Sequence, residues 1–460
     1  MSPRSTRPFP LSSARPQRGA ATLIVVMLLF FIISMVAAYT SRNLIFEQRT
    51  SANQYRSTQA FEAAEAGLEW AIAQLNAGRT TDTCAASTDD SAATEQSFAQ
   101  RYLTISTSTG VITPRVASSG GSVQPRCVFN SSAGDPANWT WSCSCPVANT
   151  SSGTLSPPGG TGPAPAFVMR LRRSPQVGTR TDLIQLDVNS CTRLDSSCLT
   201  FATDDRGATG DGVAGTGVLL ALRGALTRPP AAALTVAGAL AALPGGATLS
   251  LVNTEAAASG LTLHTGGGIP ASVITKRTIA GTPPDSSVLS ADPSLAPAAA
   301  GTLSTEERRF ALYFGVRPDT YFRQPGMVEV NCSGGCDAGD VNLALLRNPG
   351  RAIRVKGAGT LEIDADIGST ASPALLIVEG DVEFSSGVTL VGLLYGRKAA
   401  WTWTVNGAAT IQGAAVAEGG LTLAGGSGAT SVMYDTPTLT ALRVSYGTFV
   451  RVPGSWKDFQ

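Results

Sequence analysis

Residues 19–41 form an uncharged, strongly apolar segment, which limits what this chain can fold into more than any other feature. At 1.5 Å per residue, an α-helix of this length spans about 35 Å, enough to cross a hydrocarbon core of about 30 Å. The residues before it include Arg4, Arg7, Arg15 and Arg18 and no acid. A basic flank stays in the cytoplasm, so we predict that the rest of the chain lies across the membrane.

Three interpretations of this segment are open. A secretory signal peptide would be removed after a site such as Val36-Ala37-Ala38, although its apolar core is usually only about 7–15 residues long. A permanent anchor helix would keep the segment unchanged. In the third interpretation, QRGAATLIVV resembles a prepilin junction. A membrane peptidase then cuts on the cytoplasmic side after Gly19, and the apolar segment starts the mature protein.

The residues after the membrane continue the helix. No Pro occurs from residue 19 to 78, no Gly occurs between Ala20 and Gly67, and apolar residues recur at spacings of three and four. Asn76-Ala77-Gly78 is a plausible helix end. We therefore predict one helix from about Ala20 to Asn76, about 85 Å long. Its second half should dock on the head through the apolar residues Phe61, Ala64, Leu68 and Ile72.

The junction QRGAATLIVV, the long helix and the phrase QAFEAAEAGL together resemble the PilX-type minor pilins of type IV pili, over about residues 17–78. The resemblance implies that a prepilin peptidase cleaves after Gly19 and that Ala20, in place of the commoner Phe, is then N-methylated. It also implies that residues 20–41 sit in the inner membrane before assembly, with a periplasmic C-terminal part. The expected partners are other minor pilins and the pilus tip adhesin.

Ile24 is the fifth residue after the predicted cleavage site. Major pilins carry a Glu there, which in the family neutralises the terminal amine of a neighbouring subunit. A buried unpaired charge is costly, so a subunit without this carboxylate is poorly suited to repeated stacking. We therefore predict a role in the priming or tip complex of the filament, in pilus assembly, motility or adhesion.

Other assignments are open. The minor pseudopilin K at the tip of type II secretion systems shares the missing Glu and is the closest rival. A secreted β-helical adhesin with a cleaved signal peptide belongs to a different class. A surface enzyme on a β-helix would need a carboxylate pair, and no such pair stands out.

All eight cysteines lie after the apolar segment. The predicted compartment is oxidising and the number is even, which favours disulfides over a metal site. Two local pairs are the simplest, namely Cys191 with Cys198 and Cys332 with Cys336. The other cysteines are Cys84, Cys127, Cys143 and Cys145.

We predict an α+β fold, in which a pilin-like helix precedes a β-rich head. The basic leader is residues 1–19 and the helix is 20–78, followed by a disulfide-containing head at 79–200 with strands FVMRLRR and DLIQLDV. A Gly-rich strand region at 201–350 includes a helix at 304–315, which Ser304 and Glu307 cap. Residues 351–460 contain short strands with glycines about 20 residues apart, which indicates a small right-handed β-helix, with a β-sandwich as the alternative.

No catalytic constellation is apparent, so we predict no enzyme, no cofactor and no metal. The one histidine, His264, is typical of an ordinary strand residue. The G-x-G-x-x-G spelling at 210–215 lacks the βαβ unit that a dinucleotide site needs. Acids at 204, 205 and 211, and at 337 and 340, fit solvated turns better than calcium sites.

Two W-x-W pairs and one basic cluster complete the candidates. Trp139 with Trp141, and Trp401 with Trp403, would bind a sugar, a surface or a partner if exposed and would belong to the core if buried. The arginines at 170, 172 and 173 are too few to indicate DNA binding, and the net charge of +1 gives no field that attracts nucleic acid.

Overall fold

We describe the protein from a computed structural model. The described residues are 18–91, 95–118, 120–132, 135–147, 154–159, 164–173, 180–194, 199, 201, 212–242, 247–270, 274–426 and 428–458. The chain divides into two units, Met1–Thr58 and Gln59–Gln460. Most of the predicted leader, residues 1–17, lies outside the described residues.

One long helix, α1 (Arg18–Leu75), begins the described chain. The sequence of α1 contains no proline, and α1 includes the apolar segment that is predicted to cross a membrane. The helix ends at Leu75, next to the predicted stop at Asn76-Ala77-Gly78. This confirms the prediction of a single helix through this region. Together with the β-rich remainder of the chain, the helix also confirms the predicted α+β fold class.

Two small antiparallel sheets follow α1. β1 (Arg79–Thr80) pairs with β2 (Gln96–Ser97), and β3 (Leu103–Ile105) pairs with β4 (Ile112–Pro114). Helix α2 (Phe98–Tyr102) joins the two sheets and starts with a capping box between Ser97 and Gln100. Phe98 and Tyr102 are buried in one cluster with Leu75, so these short elements pack around the end of α1.

A six-stranded antiparallel sheet, called the head sheet below, forms the larger part of the head. Its strands are β5 (Arg126–Asn130), β6 (Thr140–Ser144), β7 (Ala166–Arg173), β8 (Leu183–Cys191), β9 (Val213–Gly224) and β27 (Gly447–Arg451), in the order β27-β9-β8-β7-β5-β6. The two predicted strands are β7 and β8. The head does not end at the predicted residue 200, because β9 and β27 complete its sheet from beyond that point.

The remaining strands form two sheets, called the long sheet and the short sheet below. The long sheet contains β10 (Leu234–Val236), β12 (Thr248–Val252), β13 (Leu263–Thr265), β14 (Ile274–Arg277), β15 (Val288–Leu289), β16 (Met327–Asn331), β18 (Ala352–Lys356), β20 (Ala374–Val378), β22 (Val388–Gly396), β24 (Ala409–Ala417) and β26 (Ala429–Tyr434). The short sheet contains β11 (Leu240–Ala242), β17 (Cys336–Asp337), β19 (Leu361–Ile363), β21 (Val382–Phe384), β23 (Ala400–Val405) and β25 (Gly420–Ala424).

Every described strand pair in these two sheets is parallel, and from β16 to β26 successive strands alternate between them. β10, β11 and β12 then pair with β24, β25 and β26, so the earlier segment extends both sheets. The predicted regions 201–350 and 351–460 thus share the same sheets. Parallel pairing excludes the β-sandwich alternative, which is built from antiparallel sheets, and the right-handed β-helix stays a prediction.

A glycine lies where strand β24 of the long sheet changes from one neighbouring strand to another. β24 pairs with β26 through residues 409–413 and with β10 through residues 415–417, so the change occurs at Gly413. Gly413 has φ +138° and lies directly opposite Gly392, which has φ +151°. A Cβ atom at Gly413 would lie 1.9 Å from the carbonyl oxygen of Gly392. Only glycine fits this position, because it tolerates positive φ and has no Cβ atom.

Four helices accompany the two sheets: α3 (Thr305–Phe314), α4 (Pro318–Phe322), α5 (Ala338–Arg347) and α6 (Thr436–Val444). Short 3-10 turns lie at Pro136–Asn138, Pro284–Ser287 and Pro293–Leu295. α3 confirms the predicted helix, with the capping box of Ser304 and Glu307 at its start and Gly315 in a left-handed conformation at its end. Phe310 and Phe314 of α3 are buried against the long sheet, in one cluster with Tyr395.

Candidate assembly helix

The first half of α1 presents apolar side chains on every side. Leu23 to Ile33 are all at least half exposed, and Ile24 and Val25 are 62% and 63% exposed. An apolar surface this large is unfavourable in water but suits a bilayer or a bundle of helices. Within the described residues, α1 is the one helix long and apolar enough to cross a membrane.

The predicted processing site lies at the start of α1. Gly19 is exposed, and a Cβ atom placed on it would meet no atom within 4 Å. Ala20 would become the first residue of the mature chain. Counting from there, Ile24 is the fifth residue, and the first acid in the helix is Glu47. The apolar part of the helix therefore contains no carboxylate that could neutralise an amine of a neighbour.

The second half of α1 packs on the head sheet. Of the four predicted docking residues, Ala64 and Leu68 are buried, and Phe61 and Ile72 are partly buried. The ring of Phe61 contacts that of Trp456 edge to face, with their centroids 6.3 Å apart. This is a peripheral contact, so the closest packing lies on the neighbouring face of the helix.

Small residues make the closest approach of α1 to the head sheet, and the predicted apolar stripe included Ala71 but neither Ala60 nor Gly67. A Cβ atom on Gly67 would lie 2.8 Å from side-chain atoms of Phe167 and Val188 on β7 and β8. Ala60 and Ala71 are fully buried on the same face. These positions are seven and four residues apart, which places them on one face of the helix and was the available signal. Alanines and glycines, however, contribute little to an apolar pattern.

Arg351 caps the C-terminal end of α1. Its Nη2 donates to the carbonyl oxygen of Leu75 at 2.7 Å, and its Nη1 donates to the carbonyl oxygen of Gly447. Burial lowers the pKa of Arg351 to about 10, which still leaves it charged at neutral pH. A cation at this position also interacts favourably with the helix dipole. The long sheet, which begins its strand β18 one residue later, thereby holds the end of α1.

Residues 18–69 match the PilX N-terminal family. The N-terminal helix is therefore a PilX-type segment. The match covers most of α1 and leaves the head sheet and the two parallel sheets outside it. No curated protein sequence matches the chain.

A solved structure with similarity to this chain is the competence-associated pilin ComZ from Thermus thermophilus. The two are 11% identical, and the alignment covers 87% of this chain and 97% of ComZ, with a TM-score of 0.20. Such a low TM-score supports no conclusion about the fold, so the assignment of the PilX-type segment depends on residues 18–69 alone.

Disulfides secure the regions that follow the PilX-type segment. Cys84 bonds to Cys145, Cys127 bonds to Cys143 across β5 and β6, and Cys332 bonds to Cys336. The last of these is one of the two predicted local pairs. The other, Cys191 with Cys198, involves a cysteine that lies outside the described residues.

The polar candidates have structural partners where they are described. The ring of His264 bonds to the carboxylate of Asp292 at 2.6 Å, and this bond lowers the pKa of Asp292 to about 2. Asp337 caps α5 in a capping box with Asp340. No cluster of His, Cys, Asp or Glu that could hold a metal occurs in the part of the chain that the structure describes. The acids at 204, 205 and 211 and Gly210 lie outside that part.

The basic cluster has structural contacts as well. Arg170 and Arg172 donate to the buried carboxylate of Asp187 at 3.1 and 2.5 Å. Arg173 donates to the hydroxyl of Thr113 at 2.8 Å.

The two W-x-W pairs differ in burial. Trp401 and Trp403 are fully buried between the parallel sheets, with ring centroids 5.3 Å apart, and the indole of Trp401 donates to the carbonyl oxygen of Gly380 at 2.9 Å. This pair belongs to the core. Trp139 is 42% exposed and contacts Phe129, so only the first pair presents an indole at the surface.

Proposed function

We propose that this chain is a minor pilin of a type IV pilus, which acts in the priming or tip complex of the filament. The PilX-type segment at residues 18–69 and its apolar, exposed helix support this proposal. A prepilin peptidase removes the leader after Gly19, and Ala20 becomes the N-methylated first residue. The helix stays in the inner membrane, with the head in the periplasm, until other minor pilins and the tip adhesin join it.

Ile24 is the observation that supports a place at the end of the filament. Between Gly19 and Phe46 the helix contains no acid. This subunit can receive the carboxylate of a neighbour at its own terminal amine, but it offers none in return. Burying an uncompensated ammonium group in a dry helix bundle costs several kcal/mol, about 3–5 when a partner is removed from a buried pair. A subunit of this kind is best placed where one side has no neighbour.

The role is one of assembly rather than catalysis. The head packs on the second half of α1 through apolar contacts and a helix cap, and disulfides stabilise the regions after α1. This suits a subunit that must survive extraction from the membrane. The one described histidine has Asp292 as its partner.

Gold-labelled antibodies on sheared pili test this proposal. In wild-type cells we expect label at one filament end, and deletion of the gene should reduce surface pili while leaving exoprotein secretion intact. Ile24→Glu supplies the missing carboxylate and should spread the label along the shaft. Val25→Glu, at an equally exposed neighbouring position, is the matched control and should not.

Two results would contradict the proposal. Label along the whole shaft in wild-type cells would place the subunit in the body of the filament. Loss of secretion without loss of pili on deletion would assign the chain to a type II secretion system.

A further inference from the structure

A cavity of about 280 Å³ lies within the second unit, where the small sheet of β3 and β4 meets the parallel sheets. Strand β3 lines one side of this cavity, and the loops that precede β18 and β27 line the other. Its mouth opens to solvent between exposed polar side chains, which are those of Gln100, Thr104, Thr107 and Ser372. The volume is close to the lower limit for small-molecule sites, so the cavity suits a ligand with a single ring.

Two arginines and no acid line the described walls of this cavity. Arg351 is 5% exposed and lies at the inner end, whereas Arg115 is exposed and lies at the mouth. Both side chains are charged at neutral pH. The cavity therefore has a net positive charge, which favours an anionic ligand.

The charge of Arg351 has no carboxylate to balance it. Its guanidinium group donates to three neutral oxygens, those of the Leu75 and Gly447 carbonyls and of the Asn76 side chain, and it forms no ion pair with any described residue. Buried charges in proteins are usually paired with an opposite charge. The C-terminal end of α1 supplies only about half of an elementary charge. An anion in the cavity would supply the rest.

Arg115 has hydrogen-bond donors available at the mouth. Its Nε donates to the carbonyl oxygen of Leu103 at 3.2 Å, and its two terminal nitrogens donate to no described residue. A guanidinium group presents its donors in a planar fork that matches the two oxygens of a carboxylate. A carboxylate that enters the cavity therefore meets donors at the mouth and a positive field further in.

The other walls of the cavity combine apolar and hydroxyl groups. Leu103 and Phe449 contribute buried apolar surface, and Thr104, Ser372 and Ser445 contribute hydroxyls, which can both donate and accept hydrogen bonds. A sugar ring has the same combination, with C–H groups on its faces and hydroxyls at its edge. A phosphate ion would leave the apolar walls unused, and a purely apolar carboxylate would leave the hydroxyls unused.

We propose that this cavity binds a sugar acid of monosaccharide size, with its carboxylate on the fork of Arg115 and in the field of Arg351. The ring lies against Leu103 and Phe449, and its hydroxyls exchange hydrogen bonds with the hydroxyls of the walls. This binding site goes beyond the proposed function and does not depend on it.

Isothermal titration calorimetry of the full chain in a nonionic detergent tests the proposal. The probes are glucuronate and galacturonate at low salt, with glucose and galactose as their neutral counterparts. We expect saturable binding of at least one acid. Its neutral counterpart should bind about tenfold more weakly, because the charge-assisted hydrogen bonds are lost. Added salt should weaken the binding of the acid, since salt screens the attraction of the two arginines.

Substitution of Arg115 tests the assigned contact. Arg115→Gln removes the charged fork and leaves the cap that Arg351 places on α1, so the variant should fold and bind the acid about tenfold more weakly. Arg115→Lys keeps the charge and should lose less. Arg323→Gln is the matched control, because Arg323 is also exposed but does not line this cavity, and it should leave binding unchanged. Equal melting temperatures of the variants show that each is folded.

Four results would overturn the inference. Neither acid binds, the neutral sugars bind as tightly as the acids, or the folded Arg115→Gln variant binds as tightly as the wild-type chain. In the fourth, inorganic phosphate displaces the acid at an equal concentration, which would show that the cavity selects for charge alone. None of these results bears on cleavage after Gly19, so the proposed function is tested separately.

Discussion

Asn76, the residue after α1, exchanges two hydrogen bonds with the backbone of Phe449, which lies 373 residues later in the chain. Its Nδ2 donates to the carbonyl oxygen at 2.9 Å, and its Oδ1 accepts from the amide at 2.8 Å. Asn76 thereby acts as a further partner for β27 at the edge of the head sheet. The end of the helix and the end of the chain are stabilised together.

Replacing Asn76 should therefore destabilise the whole second unit. Asn76→Ala leaves the buried amide and carbonyl of Phe449 without partners, and we expect a loss of about 3 kcal/mol in the free energy of unfolding. Urea denaturation of the full chain in detergent measures it. Asn53→Ala, which removes an exposed asparagine side chain within α1, should change it by less than about 0.5 kcal/mol. Equal effects of the two variants would contradict the account.

Gly413→Ala tests the glycine contact in the long sheet. The added methyl group would clash with the carbonyl oxygen of Gly392 at a backbone angle that alanine disfavours, so we expect a loss of about 3–5 kcal/mol. Gly426→Ala is the control, because a Cβ atom there meets nothing within 4 Å. Thermal unfolding followed by circular dichroism distinguishes the two. A stable Gly413→Ala variant would show that β22 and β24 are not this close.

The buried and exposed tryptophans should respond differently. Trp403→Ala removes a fully buried ring and should lower the free energy of unfolding by about 4 kcal/mol. Trp139→Ala removes a ring that is 42% exposed and should cost less than half as much. Denaturant titrations of both variants provide the comparison. A larger effect at Trp139 would contradict the assignment of Trp401 and Trp403 to the core.

The disulfides should contribute according to the loops that they close. Cys84 and Cys145 are 61 residues apart, and Cys332 and Cys336 are four apart. Loop-closure entropy predicts losses of about 4 and about 2 kcal/mol when each pair is replaced by serine. Melting temperatures of the two double variants test this order. If replacing Cys332 and Cys336 lowers the melting temperature more than replacing Cys84 and Cys145, the Cys332–Cys336 disulfide must also stabilise the folded state directly.

Glu418 should make stability depend on pH. Its side chain is 5% exposed, Oε2 accepts from Arg397 at 3.2 Å, and Oε1 has no hydrogen-bond partner among the described residues. Burial raises its pKa above the ordinary value of 4.5. The folded state then holds this proton to a higher pH than the unfolded chain does. Its contribution to stability therefore falls as pH rises from 4.5 through the raised pKa.

The comparison with Glu418→Gln isolates this group. Relative to that variant, the wild-type chain should be more stable at about pH 4 than at about pH 7. Denaturant titrations at both values measure the difference. A difference that does not change with pH, or changes in the opposite direction, would show that the carboxylate of Glu418 is not desolvated.

The helices of this protein could be predicted from its sequence because their signals are local. The apolar run before Arg42, the phrase QAFEAAEAGL ending at Leu68 and the capping box of Ser304 and Glu307 each lie within a few turns of one helix. The interactions between residues this close in sequence do not depend on the rest of the fold.

The sheets could be predicted only in part, because their pairing depends on contacts far apart in sequence. β27 joins the head sheet from the end of the chain, and β10 lies beside β24 although nearly two hundred residues separate them. The cap that Arg351 places on α1 has no local signal either. An arginine before a strand is common, and only the fold brings it to Leu75.

Mass spectrometry of the N-terminal peptide, from protein isolated in its native membrane, tests the central claim most directly. The account predicts a chain that begins at Ala20 with one added methyl group, since cleavage after Gly19 and methylation define the pilin pathway. A chain that begins near Tyr39 would be a secreted protein without its apolar helix. That result would contradict the assembly mechanism proposed for this PilX-type segment.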